Sequence, residues 1–175
     1  MAPRVILLSG PAGVGKTTVG RMLAGRAPNG ACIHGDQLKE FIVSRAGGAV
    51  ATGLAYVNGA SVAANFVEAG YDLVVFEFVF EERRFVNRFL GAFPLTAPVH
   101  LFTLWAPLAT VTARERTRPN RDRLGERVVA CYETIDRNRD VLGIFIDTEG
   151  ATPEAIAEAI FHQSAAGIGL ISMFL

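Results

Sequence analysis

The stretch Gly10-Pro11-Ala12-Gly13-Val14-Gly15-Lys16-Thr17, followed by Thr18, decides the fold of this 175-residue chain. Its spacing matches the pattern G-x-x-x-x-G-K-[ST] at every fixed position. The apolar run at residues 5–8 directly before it predicts a buried parallel strand. After the stretch, apolar residues recur with helical spacing, which predicts a helix that opens near Lys16. The sequence therefore predicts a glycine-rich loop between a strand and a helix.

The chemistry of this loop explains its residue types. Backbone N–H groups at a helix N-terminus form a concave donor site, where the helix dipole favours negative charge. The glycines remove Cβ atoms that would hold the backbone away from phosphate oxygens. Lys16 can then reach the β- and γ-phosphates of a purine nucleoside triphosphate, and the Thr17 hydroxyl can ligate Mg²⁺. The residues expected to contact the nucleotide are Gly10, Pro11, Ala12, Gly13, Val14, Gly15, Lys16, Thr17 and Thr18.

Composition indicates one globular domain over residues 1–175. The chain has 17 basic and 17 acidic residues, so its overall charge gives no reason to expect a nucleic-acid partner. The two cysteines, Cys32 and Cys131, match no metal spacing or redox motif. No signal-peptide pattern opens the chain, and no apolar run reaches the roughly 18 residues of a membrane span. We therefore expect a soluble cytoplasmic protein without a membrane partner.

Strands and helices alternate along the chain, which is typical of a three-layer α/β fold with a parallel sheet. Besides the strand before the loop, apolar runs predict strands at residues 31–34, 71–76, 99–105 and 142–146. The apolar tail at residues 165–175 is not explained by this alternation. It either packs on the edge of the domain or forms part of a dimer contact, which leaves a homodimer open.

Local signals make several helix details testable. Asp36 is predicted as the N-cap of a helix that carries Leu38, Phe41 and Ile42. A helix over residues 54–69 is expected to stop at Gly70 and to bury its bulkier side chains. Those side chains are Val57, Val62, Phe66 and Val67. Thr152 is predicted to cap the last helix, with Pro153 as its first residue.

Acidic residues follow three of the predicted strands, at the edge where open α/β sheets bind ligands. They are Asp36, Glu77 and Asp147. Asp36 can accept a proton from a substrate hydroxyl or hold Mg²⁺ through water, with a plain N-cap as the alternative. Glu77 is costly at the end of an apolar strand unless it is paired, so we expect an outer ligand of Mg²⁺, with a helix cap or a salt bridge as the alternative. His34 is expected to be an ordinary strand-end residue rather than part of the substrate pocket.

Five arginines lie within ten residues, at positions 114, 116, 118, 121 and 123. Charge runs are usually solvated faces. Here Pro119 and Asn120 interrupt the helix, which favours a lid over residues 114–124 that closes on the nucleotide. Guanidinium groups suit that role because they bind phosphate with two parallel hydrogen bonds. We expect Arg114 and Arg116 to contact the nucleotide.

These features together resemble the small P-loop kinases. The matching segments occur in the same order: residues 9–18, His34-Gly35-Asp36-Gln37-Leu38, the strand end at Glu77, and Arg121-Asp122-Arg123 through Asp147-Thr148. The likeness is to the chloramphenicol phosphotransferase-like proteins, relatives of the shikimate, gluconate and nucleoside monophosphate kinases, and it spans most of residues 4–161. It implies a five-stranded parallel sheet in the order 2-3-1-4-5, with helices on both faces and a short lid.

The resemblance also implies an activity, the transfer of the γ-phosphoryl group of ATP to a hydroxyl of a small molecule with Mg²⁺ as cofactor. It makes Lys16 and Thr17 ligands of phosphate and Mg²⁺, Asp36 the general base and Arg123 a lid arginine at the transferring group. The segment after Asp147-Thr148 would border the adenine. Two alternatives stay open. One is a nucleotide-binding switch or ATPase that acts through a protein partner, and the other is a nucleoside or nucleotide kinase.

Overall fold

The computed structural model describes residues 2–44, 52–94, 97–117 and 125–171 and centres on one sheet. Five strands run parallel: β1 (Arg4–Ser9), β2 (Gly30–His34), β3 (Leu73–Glu77), β4 (Val99–Trp105) and β5 (Ile144–Asp147). A short strand, β6 (Leu170–Ile171), pairs antiparallel with β4. The parallel strands have the order β2-β3-β1-β4-β5, which confirms the predicted order.

Helices cover both faces of the sheet and complete three layers. They are α1 (Lys16–Ala24), α2 (Gly35–Glu40), α3 (Thr52–Glu68), α4 (Arg83–Ala92), α5 (Leu108–Arg116), α6 (Glu126–Arg137) and α7 (Pro153–Ala165). The apolar core on one face includes residues of α3 and α4, and the core on the other face includes residues of α1 and α7. Within the described ranges, no helix has the length and apolar character needed to cross a membrane.

β1 is the central strand and is fully buried. Val5 and Leu7 belong to the core beneath α3 and α4, whereas Ile6 and Leu8 belong to the core beneath α1 and α7. All four side chains are 0% exposed. Burial of each such side chain contributes about 1.5–3 kcal/mol, so a strand that is apolar on both faces is held firmly at the centre of a parallel sheet.

The prediction that Asp36 caps a helix is wrong. β2 continues to His34, and α2 begins at once with Gly35, so His34 occupies the N-cap and Asp36 lies in the first turn. α2 ends at Glu40, and Phe41 lies beyond its end with 76% of its surface exposed. The cap preference of an aspartate was overridden because the pairing of β2 with β3 extends to His34.

The expected buried face of α3 is also wrong in detail. The buried residues are mostly small: Ala55, Tyr56, Gly59, Ala60, Ala63 and Ala64. The predicted core residues Val57, Val62, Phe66 and Val67 are only half-buried. The reason is a close approach of helix to sheet, since a Cβ added at Gly59 would lie 2.5 Å from the Phe76 ring. Small residues fit that contact, and the bulkier ones pack at its margins.

The helix-end predictions are confirmed. Gly70 follows α3 with a φ of +86°, the left-handed conformation that ends helices. The Thr152 side chain accepts a hydrogen bond from the Ala155 amide at 3.2 Å, and Pro153 is the first residue of α7. Both features depend only on neighbours in sequence, which is why local signals were sufficient to predict them.

The described part of the apolar tail packs on the edge of the sheet. Leu170 in β6 pairs with His100, and the Leu101 amide donates to the Gly169 carbonyl at 2.8 Å. His100 Nδ1 donates to the Ile168 carbonyl at 2.9 Å. Burial lowers the pKa of His100, with a smaller opposing effect from that carbonyl. Residues 172–175, and residues 118–124 of the expected lid, which include Arg123, lie outside the described residues.

Gly59→Ala tests the close packing of α3 on β3. We expect it to lower the free energy of unfolding by about 1–3 kcal/mol, because overpacking against Phe76 outweighs the higher helix propensity of alanine. Urea unfolding followed by circular dichroism measures this change.

Gly91→Ala in α4 is the matched control, because no atom of the part of the chain that the structure describes lies within 4 Å of an added Cβ there. It is expected to be neutral or to stabilise by up to about 1 kcal/mol. Equal stabilisation by the two substitutions would contradict the close approach of α3 to the sheet.

Candidate functional site

The glycine-rich loop leads from β1 into the N-terminus of α1. Gly15 is the N-cap of α1 and has a φ of +105°, so the cap carries no side chain that could occupy the first N–H groups. Among the described residues, nothing lies within 4 Å of a Cβ added at Gly15, whereas one at Gly13 would lie 2.6 Å from the Val111 carbonyl of α5. The loop is therefore packed on one side and open on the other, an arrangement that favours an anion at the helix end.

Lys16 lies across this loop. Its Nζ donates to the carbonyl oxygens of Gly10 at 2.7 Å and Pro11 at 3.0 Å. These contacts place an ammonium charge beside the uncapped N-terminus of α1. Since the partial charge of the helix end has the same sign, the two together attract a group with several negative charges.

Three side chains from three elements meet beside the loop. Glu77, the last residue of β3, is 7% exposed, and its Oε1 accepts a hydrogen bond from Thr17 Oγ1 at 3.0 Å. His34, the last residue of β2, is paired in register with Glu77. His34 Nδ1 lies 2.8 Å from the same Oε1 atom, and Arg21 Nε donates to His34 Nε2 at 3.2 Å.

This contact of His34 was missed at the level of sequence, where the residue was expected to be an ordinary strand end. The available signal was that β2 and β3 both end in polar residues. Parallel neighbours that end together bring their last side chains to one edge.

The side chains at this edge fit a magnesium ion. Mg²⁺ takes oxygen ligands, usually keeps several waters and binds through one or two carboxylates together with substrate phosphates. Thr17 and Glu77 offer a hydroxyl and a carboxylate next to the loop. In the described ranges, no group of three His, Cys, Asp or Glu side chains could hold a metal alone. A magnesium ion bound beside Thr17 and Glu77 would take further oxygen ligands from phosphate and water.

Asp36 lies two residues after His34, in the first turn of α2. Its carboxylate is 42% exposed and pairs with Lys39 Nζ at 2.6 Å. The Lys39 ammonium lies 5.1 Å from the centre of the Phe78 ring, in the segment that follows β3. The structure thus brings Asp36 to the same end of the sheet as Glu77, on the side where β2 is the edge strand.

Aromatic residues line the segment after β3. Tyr56 of α3 contacts three phenylalanine rings at centroid distances of 5.0–5.1 Å: Phe78, Phe80 and Phe85. Its hydroxyl donates to the Val79 carbonyl at 2.5 Å. Ser9 Oγ both donates to the Phe80 carbonyl at 3.2 Å and accepts from its amide at 3.0 Å. Ser9 directly precedes the loop, so these two hydrogen bonds connect the aromatic segment to the start of the loop.

A cleft of about 260 Å³ adjoins the other side of the loop. Its lining includes Gly13, Gly15, Thr18, Arg114, Thr148 and Pro153. Arg114 Nη1 donates to Thr148 Oγ1 at 3.3 Å, which holds the guanidinium against the loop after β5. A guanidinium plane and a proline ring that line one cleft suit a flat heterocycle. Arg116, the other described arginine expected at the nucleotide, is exposed at the end of α5.

Both cysteines are partly buried. Burial raises the pKa of Cys131 to about 12, and the Glu81 carboxylate adds to the shift. Burial likewise raises the pKa of Cys32 to about 12, with a further contribution from Glu77. Burial also raises the pKa of the Tyr56 hydroxyl, again with help from Glu81. All three groups stay protonated at neutral pH, so none of them adds charge to the site.

Thiol alkylation tests this burial. At pH 9 a thiol with a pKa of about 12 is only about 0.1% thiolate, and thiolate is the reactive form. We expect iodoacetamide to modify both cysteines at least about tenfold more slowly in the folded protein than in urea. Because folding raises these pKa values, their contribution to stability is complete below about pH 9 and is lost as the pH rises towards 12.

The single variants Cys32→Ser and Cys131→Ser assign each rate to one thiol. Equal rates for a given cysteine in the folded and unfolded chain would contradict its burial.

Comparison with known families gives one match. The model of the AAA_33 family, described as an AAA domain, matches residues 5–141, which is more than three quarters of the chain. No curated protein matches the chain.

Solved structures share the whole fold. The tunicamycin resistance protein of Deinococcus radiodurans is 23% identical, with a TM-score of 0.64 and coverage of 98% of this chain and 99% of that chain. A sugar kinase from Janibacter sp. HTCC2649 is 18% identical, with a TM-score of 0.70 and coverage of 96% of each chain. The shikimate kinase of Acinetobacter baumannii, solved in complex with shikimate, is 20% identical, with a TM-score of 0.59 and coverage of 95% of each chain. The resemblance to the fold of the small P-loop kinases is confirmed.

Proposed function

The chain belongs to the AAA_33 family of AAA domains, and from this premise we propose that it transfers the γ-phosphoryl group of ATP to a hydroxyl of a small molecule. One observation carries the proposal. The open, positively charged end of α1, with Lys16 across its loop, lies directly beside the oxygen pair of Thr17 and Glu77. A site that can bind an anion, next to oxygen atoms that can bind Mg²⁺, suits a nucleotide whose terminal phosphoryl group is transferred. The tunicamycin resistance protein, the sugar kinase and the shikimate kinase that share the fold support a small-molecule acceptor.

In this proposal the loop, residues 10–18, binds the phosphates of ATP through its backbone N–H groups. Lys16 exchanges its contacts with the Gly10 and Pro11 carbonyls for phosphate oxygens. Thr17 and Glu77 hold Mg²⁺, which would offset negative charge on the phosphates when bound. The cleft beside Arg114 and Thr148 receives the base.

Asp36 acts as the general base in the proposed reaction. The acceptor oxygen forms a bond to the γ-phosphorus, the bond to the bridging oxygen of ADP breaks, and the hydroxyl proton passes to the Asp36 carboxylate. Its exposure makes the carboxylate accessible to a substrate, and Lys39 holds it in place at 2.6 Å. In the same proposal, Arg116 and Arg123 stabilise the negative charge on the transferring phosphoryl group.

A thermal-shift screen with Mg·AMP-PNP tests the function as a whole. The candidate acceptors are antibiotics, sugars, shikimate-like acids and nucleosides. Each compound that raises the melting temperature is then tested in a phosphorylation assay with ATP. We expect a second rise in melting temperature with one acceptor class, because a ligand that binds only the folded state stabilises it. Stabilisation by nucleosides would indicate a nucleoside kinase. A nucleotide response with slow hydrolysis and no acceptor would indicate a switch instead.

Asp36→Asn tests the base. We expect kcat for acceptor phosphorylation to fall by about 10²- to 10⁴-fold, because an amide cannot accept the hydroxyl proton, while the Kd of ATP stays within about twofold. Single-turnover kinetics and calorimetry measure the two quantities.

Asp136→Asn is the matched control. Asp136 also pairs with a cation three residues later, Arg139 at 3.2 Å, and is similarly exposed at 54%. It lies on α6, and its substitution is expected to leave kcat within about twofold of the unmodified protein. Equal losses in both variants, or a normal kcat in Asp36→Asn, would exclude Asp36 as the base.

Arg114→Ala tests the base cleft. We expect the Kd of ADP to rise about tenfold and that of inorganic tripolyphosphate to stay unchanged, because the cleft would contact only the heterocycle. Calorimetry measures both affinities, and Arg137→Ala on α6 serves as the control for loss of a surface arginine. An equal loss for both ligands would show that Arg114 contacts phosphate instead.

A further inference from the structure

We propose that His34 is a positioning residue that fixes the Glu77 carboxylate for a nucleotide-bound magnesium ion, an inference that rests on the proposed function. The glycine-rich loop joins β1 to α1, whereas His34 contacts both α1 and β3. One ring nitrogen lies 2.8 Å from Glu77 Oε1, and the other receives a hydrogen bond from Arg21 of α1 at 3.2 Å.

The contact with Arg21 fixes the direction of the hydrogen bond to Glu77. An arginine Nε–H can only donate, so His34 Nε2 must be an acceptor and carries no proton. The proton of the ring therefore lies on Nδ1, which donates to Glu77 Oε1. Arg21 thus selects the tautomer that can hold the carboxylate.

Glu77 Oε1 receives two hydrogen bonds, one from Thr17 Oγ1 at 3.0 Å and one from His34 Nδ1. Within the described part of the chain, Oε2 receives none. Two donors on one oxygen restrain rotation of the carboxylate, which would hold Glu77 in a fixed orientation towards the ion. The Thr17 hydroxyl can keep its proton on Glu77 while its oxygen lone pair binds the metal, since a hydroxyl both donates and accepts.

Burial makes this restraint effective. The side chains of His34 and Glu77 are only 11% and 9% exposed, so water does little to weaken or replace their hydrogen bond. The paired register of β2 and β3 places the two residues side by side at the strand ends. Outer residues of this kind orient the groups that bind a metal, and their loss typically lowers metal affinity about 10- to 100-fold.

His34 should affect only the part of the nucleotide affinity that depends on Mg²⁺. Calorimetry of ADP binding, with Mg²⁺ and with EDTA, gives the ratio of the two Kd values for each variant. His34→Asn places an amide nitrogen two bonds from Cβ, as Nδ1 is, and keeps the donor to Glu77. His34→Gln moves its amide one bond further, to the position of Nε2, and loses that donor. His162→Asn is the control, because His162 is 71% exposed on α7.

We expect His34→Gln to reduce the magnesium-dependent ratio at least about fivefold and to leave the Kd of ADP in EDTA unchanged. His34→Asn should stay within about twofold of the unmodified protein, as should His162→Asn. Arg21→Gln leaves His34 in place but removes the hydrogen bond that fixes its tautomer, so we expect the magnesium-dependent ratio to fall by only about two- to threefold. If His34→Gln does not fold, Arg21→Gln serves as the test instead. Electron paramagnetic resonance of Mn²⁺ in the ADP complex should report the same order of affinities.

The outcomes separate the two proposals. Absence of ADP binding by the unmodified protein, with or without metal, would overturn the proposed function. Normal ADP binding without any effect of Mg²⁺ would overturn the metal role of Glu77 and with it this inference. An unchanged ratio in His34→Gln, or equal losses in His34→Gln and His34→Asn, would overturn the role of His34 alone.

Discussion

The burial of β1 between β3 and β4 is the constraint on which the rest of the structure depends. Its side chains alternate between the two cores, so a shift of one residue would exchange every one of them between layers. The fixed register sets Leu8 beside Glu77, and the next pairing sets Glu77 beside His34. The glycine-rich loop therefore begins at the same edge where these polar residues lie. The geometry of the site is a consequence of how the core packs.

The Glu77 carboxylate and the Lys16 ammonium are each held by hydrogen bonds within the protein. A carboxylate as buried as Glu77 would be costly without partners, and the Thr17 and His34 hydrogen bonds supply them. Lys16 is held by two carbonyl oxygens of its own loop. Both of these acceptors are neutral. The site is thus ordered in the free protein, and under the proposed function this order lowers the cost of nucleotide binding.

The two sides of the loop differ in how they are built. One side depends on backbone N–H groups and one short motif. The opposite side depends on packing, in which Tyr56 and the phenylalanines after β3 are tied to the loop through Ser9. Under the proposed function, substitutions among these packed residues would change the shape of an acceptor site without changing the loop. One fold can therefore serve a sugar kinase and a shikimate kinase.

The sequence by itself determined the loop, the five parallel strands and the ends of α3 and α7, because each rests on a short motif, a continuous apolar run or a neighbouring cap. It also pointed to Glu77, whose position after an apolar strand is unusual. Only the tertiary structure decided the start of α2, the small-residue face of α3, the strand β6 and the contact between His34 and Glu77. These features depend on which strands are neighbours and in what register. Residues 34 and 77 are far apart along the chain, and only the pairing of β2 with β3 brings them within hydrogen-bond distance.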